Sequence, residues 1–186
     1  MKENRMSIQF CGFGGQGLVL SATVFGTAAV YAGLNAVQTQ SYGSEARGGE
    51  CQAELIISRS NINSPSSTAV DLLVAMSQPA IDRYLSRLCK GGGLVFDPQF
   101  VERPKREDIR TLEVPVTAIA ADEIGAQITA NMVMLGFLRQ ATDLFPEVSL
   151  LSAIRDSVPE RFIELNIKAA ERGKQLALGK KSVLEV

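Results

Sequence analysis

The sequence predicts an α/β fold, a three-layer α/β/α domain around a mixed, mostly parallel sheet, with residues 1–186 as a single domain. Three observations carry this. Short apolar runs of strand length alternate with longer runs of helical character. The first apolar run ends in a glycine-rich turn that opens a helix, a Rossmann-like strand-loop-helix unit. The chain has 186 residues, 46% hydrophobic and 21% charged, the size and composition of one soluble domain. That length is enough to bury roughly 70% of the unfolded surface in one core.

Ser7 to Cys11 is an apolar run stopped by Gly12, as a buried first strand ends at a turn. Leu18 to Tyr31 is rich in Ala, Val, Leu and Phe and reads as a helix. Ala36 to Gln40 and Gln52 to Ile57 have strand length and flank the polar, glycine-containing segment Ser41 to Glu50, a hairpin-like pair that makes the sheet mixed. Asp71 to Ala75 is another buried strand, and a helix is expected from Pro79 to Cys89. Gly91-Gly92-Gly93 then reads as a helix stop before the strand Leu94 to Phe96. Arg103 to Arg110, dense in mixed charge, reads as a solvated loop or short edge, and Leu112 to Val114 as one more strand. From Ala121 onward the pattern is helical, with Asn131 to Leu144 and Val158 to Leu178 at helical spacing and Pro159 suited to a first helical turn.

Composition excludes several chemistries. There is no His, so a Ser/His/Asp triad, a Cys/His pair and His-ligated metal are ruled out within this chain. Three Cys cannot close a four-thiolate iron–sulfur or zinc site. A redox or metal centre would have to come from a partner. The net charge of −1 offers no footprint for a phosphate backbone, so no nucleic acid is expected. No apolar stretch reads as a membrane span, no secretory signal precedes the first strand, and Cys11, Cys51 and Cys89 read as reduced thiols of a cytoplasmic protein.

Gly12-Phe13-Gly14-Gly15-Gln16-Gly17 satisfies G-x-G-x-x-G in the context that gives the motif physical meaning. Glycines permit a tight turn, and the helix start offers free N–H groups and a positive dipole end to a phosphate. A dinucleotide site also needs an acid about twenty residues on. Val37-Gln38-Thr39-Gln40-Ser41 has none, which argues against a nicotinamide dehydrogenase. A tight turn without any ligand is the competing reading.

Ser41-Tyr42-Gly43-Ser44-Glu45-Ala46-Arg47-Gly48-Gly49 is a second unusual loop. Arg47 can grip a carboxylate or phosphate in a fork, with Glu45 as its partner when the site is empty. Tyr42 and Arg47 would equally serve as anchors of a protein interface, and the two charges could be a solvated pair.

These two segments, with Asn131-Met132-Val133-Met134-Leu135-Gly136 and Arg161 to Gly173, together resemble the gamma subunit of 2-oxoacid:ferredoxin oxidoreductases over nearly the whole chain. The resemblance implies oxidative decarboxylation of a 2-oxoacid, 2-oxoglutarate favoured, to an acyl-CoA with reduction of ferredoxin. Thiamine diphosphate and iron–sulfur clusters would lie in alpha, beta and possibly delta-type partners. Carried over by position, Gly12, Gly14, Gly15, Gln16 and Gly17 would face the phosphates of coenzyme A. Ser41, Tyr42, Gly43, Glu45 and Arg47 would line the same cleft or the contact with the thiamine-bearing subunits. The isolated chain would be inactive, with no catalytic or metal-binding residue of its own, and could pair as a homodimer. Two alternatives stand beside this: an assembly module without ligand contacts, and a nucleotide-binding dehydrogenase subunit. Asn131 reads as a helix cap near the site, and Met76, Met132 and Met134 as core.

Overall fold

A computed structural model describes residues 5–43, 49–179 and 184. It contains six strands, β1 (Arg5–Phe13), β2 (Asn35–Tyr42), β3 (Glu50–Ser58), β4 (Val70–Ala75), β5 (Leu88–Phe96) and β6 (Arg110–Glu113), in one sheet of order β2-β3-β1-β4-β5-β6. β1, β4, β5 and β6 run parallel, and β3 lies antiparallel between β1 and β2. The sheet is thus mixed, as the pair flanking Ser41 to Glu50 implied, with Tyr42 opposite Cys51.

Six helices complete the layers: α1 (Leu18–Tyr31), α2 (Gln78–Tyr84), α3 (Val116–Ile119), α4 (Ala130–Thr142), α5 (Glu147–Ser157) and α6 (Ile163–Gly179). Alternation along each strand decides which residues meet which layer. Ile8, Phe10, Leu55, Ile57, Leu72, Val74 and Val95 face the larger layer, where Phe25, Leu135, Phe137 and Ile154 close the main core. Cys11, Leu73, Ala75, Leu94 and Phe96 point the other way and pack beneath Ala80, Ile81 and Tyr84 of α2. The two helical layers are therefore unequal.

The larger layer depends on one very close crossing. A Cβ at Gly136 of α4 would overlap the Ala170 carbonyl, and a Cβ at Gly173 of α6 would overlap that of Val133. Only glycine fits at either position, and buried Ala169, Ala170 and Ala177 extend the same shallow face of α6.

Five local expectations are corrected. The helix foreseen to Cys89 ends at Tyr84, continues as a 3₁₀ turn over Leu85–Arg87, and gives way to β5 at Leu88. The Arg106 guanidinium fixes that turn by donating to the carbonyls of Leu85 and Leu88 at 2.7 and 2.8 Å, so Arg106 is a brace rather than part of a solvated face. Gly91 to Gly93 lie inside β5, where the ladder with β4 shifts register; a Cβ at Gly92 would come within 3.0 Å of the Asp71 carbonyl. Pro159 stands outside the helix: Val158 is extended, as a residue before proline prefers, and a 3₁₀ turn over Glu160–Phe162 precedes α6. The helical stretch from Ala121 is also broken, first by Gly125 at φ 79° and then by a 3₁₀ turn over Gln127–Thr129.

Candidate functional site

Parallel pairing aligns the carboxyl ends of four strands. Cys11 stands opposite Ala75, Ala75 opposite Phe96, and Phe96 opposite Glu113. The next residues, Gly12, Met76, Asp97 and Val114, thus sit at one level along the sheet edge. From β1 the chain crosses to β2 on one side, while β4 lies on the other, so the gap above β1 and β4 is a topological switch point, where α/β sheets hold ligands.

The glycine loop rises there. Gly15 and Gly17 have φ of 97° and 73°, backbone that L side chains rarely adopt, and Gly17 is the N-cap of α1. The first helical bond runs from Ser21 N to Gly17 O at 2.8 Å, which leaves the amides of Leu18, Val19 and Leu20 without intrahelical acceptors. Gln16 turns inward: its Oε1 accepts from Phe13 N at 2.7 Å and its Nε2 donates to Met76 O at 2.8 Å, fastening the loop to the end of β4. A Cβ at Gly12 would overlap that same Gln16 oxygen.

A second helix start meets the first. Asn131, in the first turn of α4, lies so close to Gly17 that a Cβ there would stand 2.5 Å from Asn131 Nδ2. The N-cap of α4 is Thr129, and the Asn131 side-chain oxygen accepts from Met132 N at 3.0 Å. Asn131 thus packs the two helix starts together. Met76, Met132 and Met134 are buried, as expected.

Between these elements lies a cleft of about 330 Å³ lined by Gly15, Gln16, Met76, Phe100, Thr117, Gln127, Ile128 and Ala130. None of these carries a formal charge. Their polar side-chain groups are two amides and a hydroxyl, groups suited to hydrogen bonding rather than to acid–base work near neutral pH. Of the residues singled out in the sequence, Gly15 and Gln16 line the cleft, while Gly12, Gly14 and Gly17 shape the loop behind it. The apolar walls Phe100 and Ile128, 37% and 84% exposed, were missed; a large apolar side chain that exposed in a 3₁₀ turn is visible only in three dimensions.

Ser41, Tyr42 and Gly43 lie apart from this cleft, at the end of β2 beyond β3. Tyr42 is 62% exposed. Glu45 and Arg47 lie outside the described residues. The two loops are nevertheless joined, since Gly14 N donates to Gly49 O at 2.9 Å, while Gly43 N donates to Glu50 O at 2.6 Å across the base of the second loop. Beneath them, Glu50 accepts from both Tyr84 and Arg83 of α2. Burial first, then the bond to Glu50, pushes the Tyr84 phenol up to about 12. Burial, helped by Glu50, also raises the Cys11 thiol far above its ordinary range, so it is no nucleophile.

Among the described residues no group of three or more His, Cys, Asp or Glu could hold a metal, and no helix is long and apolar enough to cross a membrane. The class so defined is an α/β domain with an uncharged cleft beside a glycine loop.

Comparison with known proteins gives the class a family. The model of the family described as pyruvate ferredoxin/flavodoxin oxidoreductase matches residues 7–176. A 2-oxoglutarate synthase subunit KorC from Methanothermobacter thermautotrophicus is 45% identical over 96% of this chain and 98% of its own length. The gamma subunit of a keto/oxoacid ferredoxin oxidoreductase from Geobacter sulfurreducens superposes with a TM-score of 0.83 at 37% identity, covering 94% of this chain and 99% of its own. The 2-oxoglutarate:ferredoxin oxidoreductase of Magnetococcus marinus, solved with 2-oxoglutarate, coenzyme A and succinyl-CoA bound, shares the fold at a TM-score of 0.86 and 23% identity, over 96% of this chain and 32% of that one. The chain belongs to the pyruvate ferredoxin/flavodoxin oxidoreductase family. Within it, the chain is a gamma-type subunit of an oxidoreductase complex and does not act as an autonomous enzyme.

Proposed function

We propose that this gamma subunit serves a 2-oxoglutarate:ferredoxin oxidoreductase, where it contributes to coenzyme A binding and docks on the subunits that carry thiamine diphosphate and iron–sulfur clusters. The substrate preference follows the relatives at 40–45% identity, described as 2-oxoglutarate synthase subunits. The partners are alpha, beta and possibly delta-type subunits, ferredoxin is reached through the complex, and the whole works in the cytoplasm. The chain acts as one unit, residues 1–186, and self-association as a homodimer is confined to the orphaned subunit.

The observation that carries the coenzyme reading is the uncharged cleft at the meeting of two helix starts, Gly17 against Asn131. Free amides at the start of α1 suit phosphate oxygens, and the neutral walls, with the Gln127 amide and Thr117 hydroxyl, suit the rest of an extended, amide-bearing thiol. The chain supplies binding and orientation, and the partners' cofactors supply the bond-breaking steps. In the assembled enzyme, Gly14→Val should raise the KM for coenzyme A about tenfold, a loss of about 1.4 kcal/mol, while decarboxylation up to the thiamine-bound intermediate is spared. An unchanged KM would remove the coenzyme from this subunit.

A docking role without ligand is the second reading, favoured by the exposure of the large side chains Tyr42, Phe13 and Ile128. In that case Gly14→Val would lower recovery of the complex and leave the kinetics of the surviving complex normal.

A further inference from the structure

Asp97 follows β5 directly and is fully buried. Its carboxylate divides its acceptors between two segments: Oδ1 takes the Gln99 amide at 3.0 Å and Oδ2 the Thr117 amide at 2.9 Å. Its backbone is as fully used. The Asp97 carbonyl accepts from Phe100 N and Val101 N, both at 3.1 Å, and its amide donates to Ala75 O at 3.4 Å. One residue thus ties together the end of β4, the turn that presents Phe100, and the first turn of α3 that presents Thr117. Phe100 and Thr117 are the cleft wall opposite the glycine loop.

We infer that Asp97 is a positioning residue for this cleft, setting the distance of the Phe100 and Thr117 wall from the glycine loop and so governing affinity for coenzyme A. The inference rests on the reading of the cleft as the coenzyme site. The residue type is demanded by the geometry. Two backbone N–H groups converge on one side chain, and only a carboxylate accepts from both. Asparagine has nearly the same shape, but whichever way its amide turns, an NH₂ group faces one of the two donors. One tie must then break and leave a buried N–H without an acceptor, a cost concentrated at the wall.

The test uses the assembled oxidoreductase. Asp97→Asn should raise the KM for coenzyme A about tenfold while kcat at saturating coenzyme and the KM for the 2-oxoacid stay within about twofold. Hydrogen exchange of the Thr117 or Gln99 amide should rise in the same protein, confirming that a tie has opened. Asp97→Ala should shift the KM further; should it fail to fold, the isosteric Asn variant carries the result alone. A wild-type KM for coenzyme A alongside a freely exchanging Thr117 amide overturns the inference, as does an equal fall in every kinetic constant. Gly15→Val run in parallel separates the two claims. If it raises the KM and Asp97→Asn does not, only the role of Asp97 fails; if neither does, the coenzyme reading fails with it.

Discussion

The backbone amide of Gly14 donates to the carbonyl of Gly49 at 2.9 Å, which joins two loops separated by one helix and one strand in the sequence. One loop opens α1 at the cleft. The other closes the β2–β3 hairpin at the sheet edge. Because β3 lies directly beside β1, with Phe13 opposite Glu50, a change at either loop reaches the other through a single hydrogen bond.

The two positive-φ glycines of the first loop should respond differently to alanine. Gly15 has open space where a Cβ would stand, so Gly15→Ala bears only the backbone penalty, about 1–2 kcal/mol. Gly17→Ala bears a similar penalty and also drives a methyl into Asn131, so it should be less stable than Gly15→Ala by a further 1 kcal/mol or about that. Urea denaturation of both variants checks this, and equal stabilities would contradict the close packing of α1 on α4.

At the α4–α6 crossing the demand on glycine is stricter. Gly136→Ala and Gly173→Ala each put a methyl into a backbone carbonyl, which no rotamer change can relieve. Each should cost about 3 kcal/mol or more, the top of the range for overpacking. A thermal unfolding scan showing near-native stability for either variant would show that the two helices are further apart than described.

Much of this was legible in the sequence because the signals were local. The helix Leu18–Tyr31 has the bounds read from its apolar run, while β1 runs past the expected stop at Gly12 to Phe13, because β3 pairs with it that far. What the sequence concealed depends on pairing between distant segments. Gly91 to Gly93 resemble a stop, yet β5 continues past them because Gly93 pairs with Leu72 of β4 on one side and Arg110 of β6 on the other. Asp97, Phe100 and Thr117 carry no motif. They meet Gly15 and Gln16 only because parallel registers bring the ends of β1, β4, β5 and β6 to one level. Arg106 resembled its charged neighbours, and only the turn at Leu85 gives it a task.

The clamp under the joined loops has a pH signature. The Tyr84 phenol is raised from 10.0 to about 12 in the folded protein, so the fold holds its proton more tightly than the unfolded chain does. The resulting stabilisation is complete below pH 10 and is lost as pH rises from 10 through about 12. Tyr84→Phe removes the hydroxyl that donates to Glu50 and should cost about 1 kcal/mol at neutral pH. The gap in urea midpoint between wild type and Tyr84→Phe should then close across that alkaline interval. A gap independent of pH would mean that the phenol makes no such bond.

Hydrogen–deuterium exchange of the assembled oxidoreductase, with and without coenzyme A, tests the central claim most directly. Coenzyme A should slow exchange at the loop and helix start 13–20, at the turn 97–101, and across 116–130, segments that line the cleft together with Met76. Protection confined to the partner subunits, with these segments exchanging at their coenzyme-free rates, would contradict it.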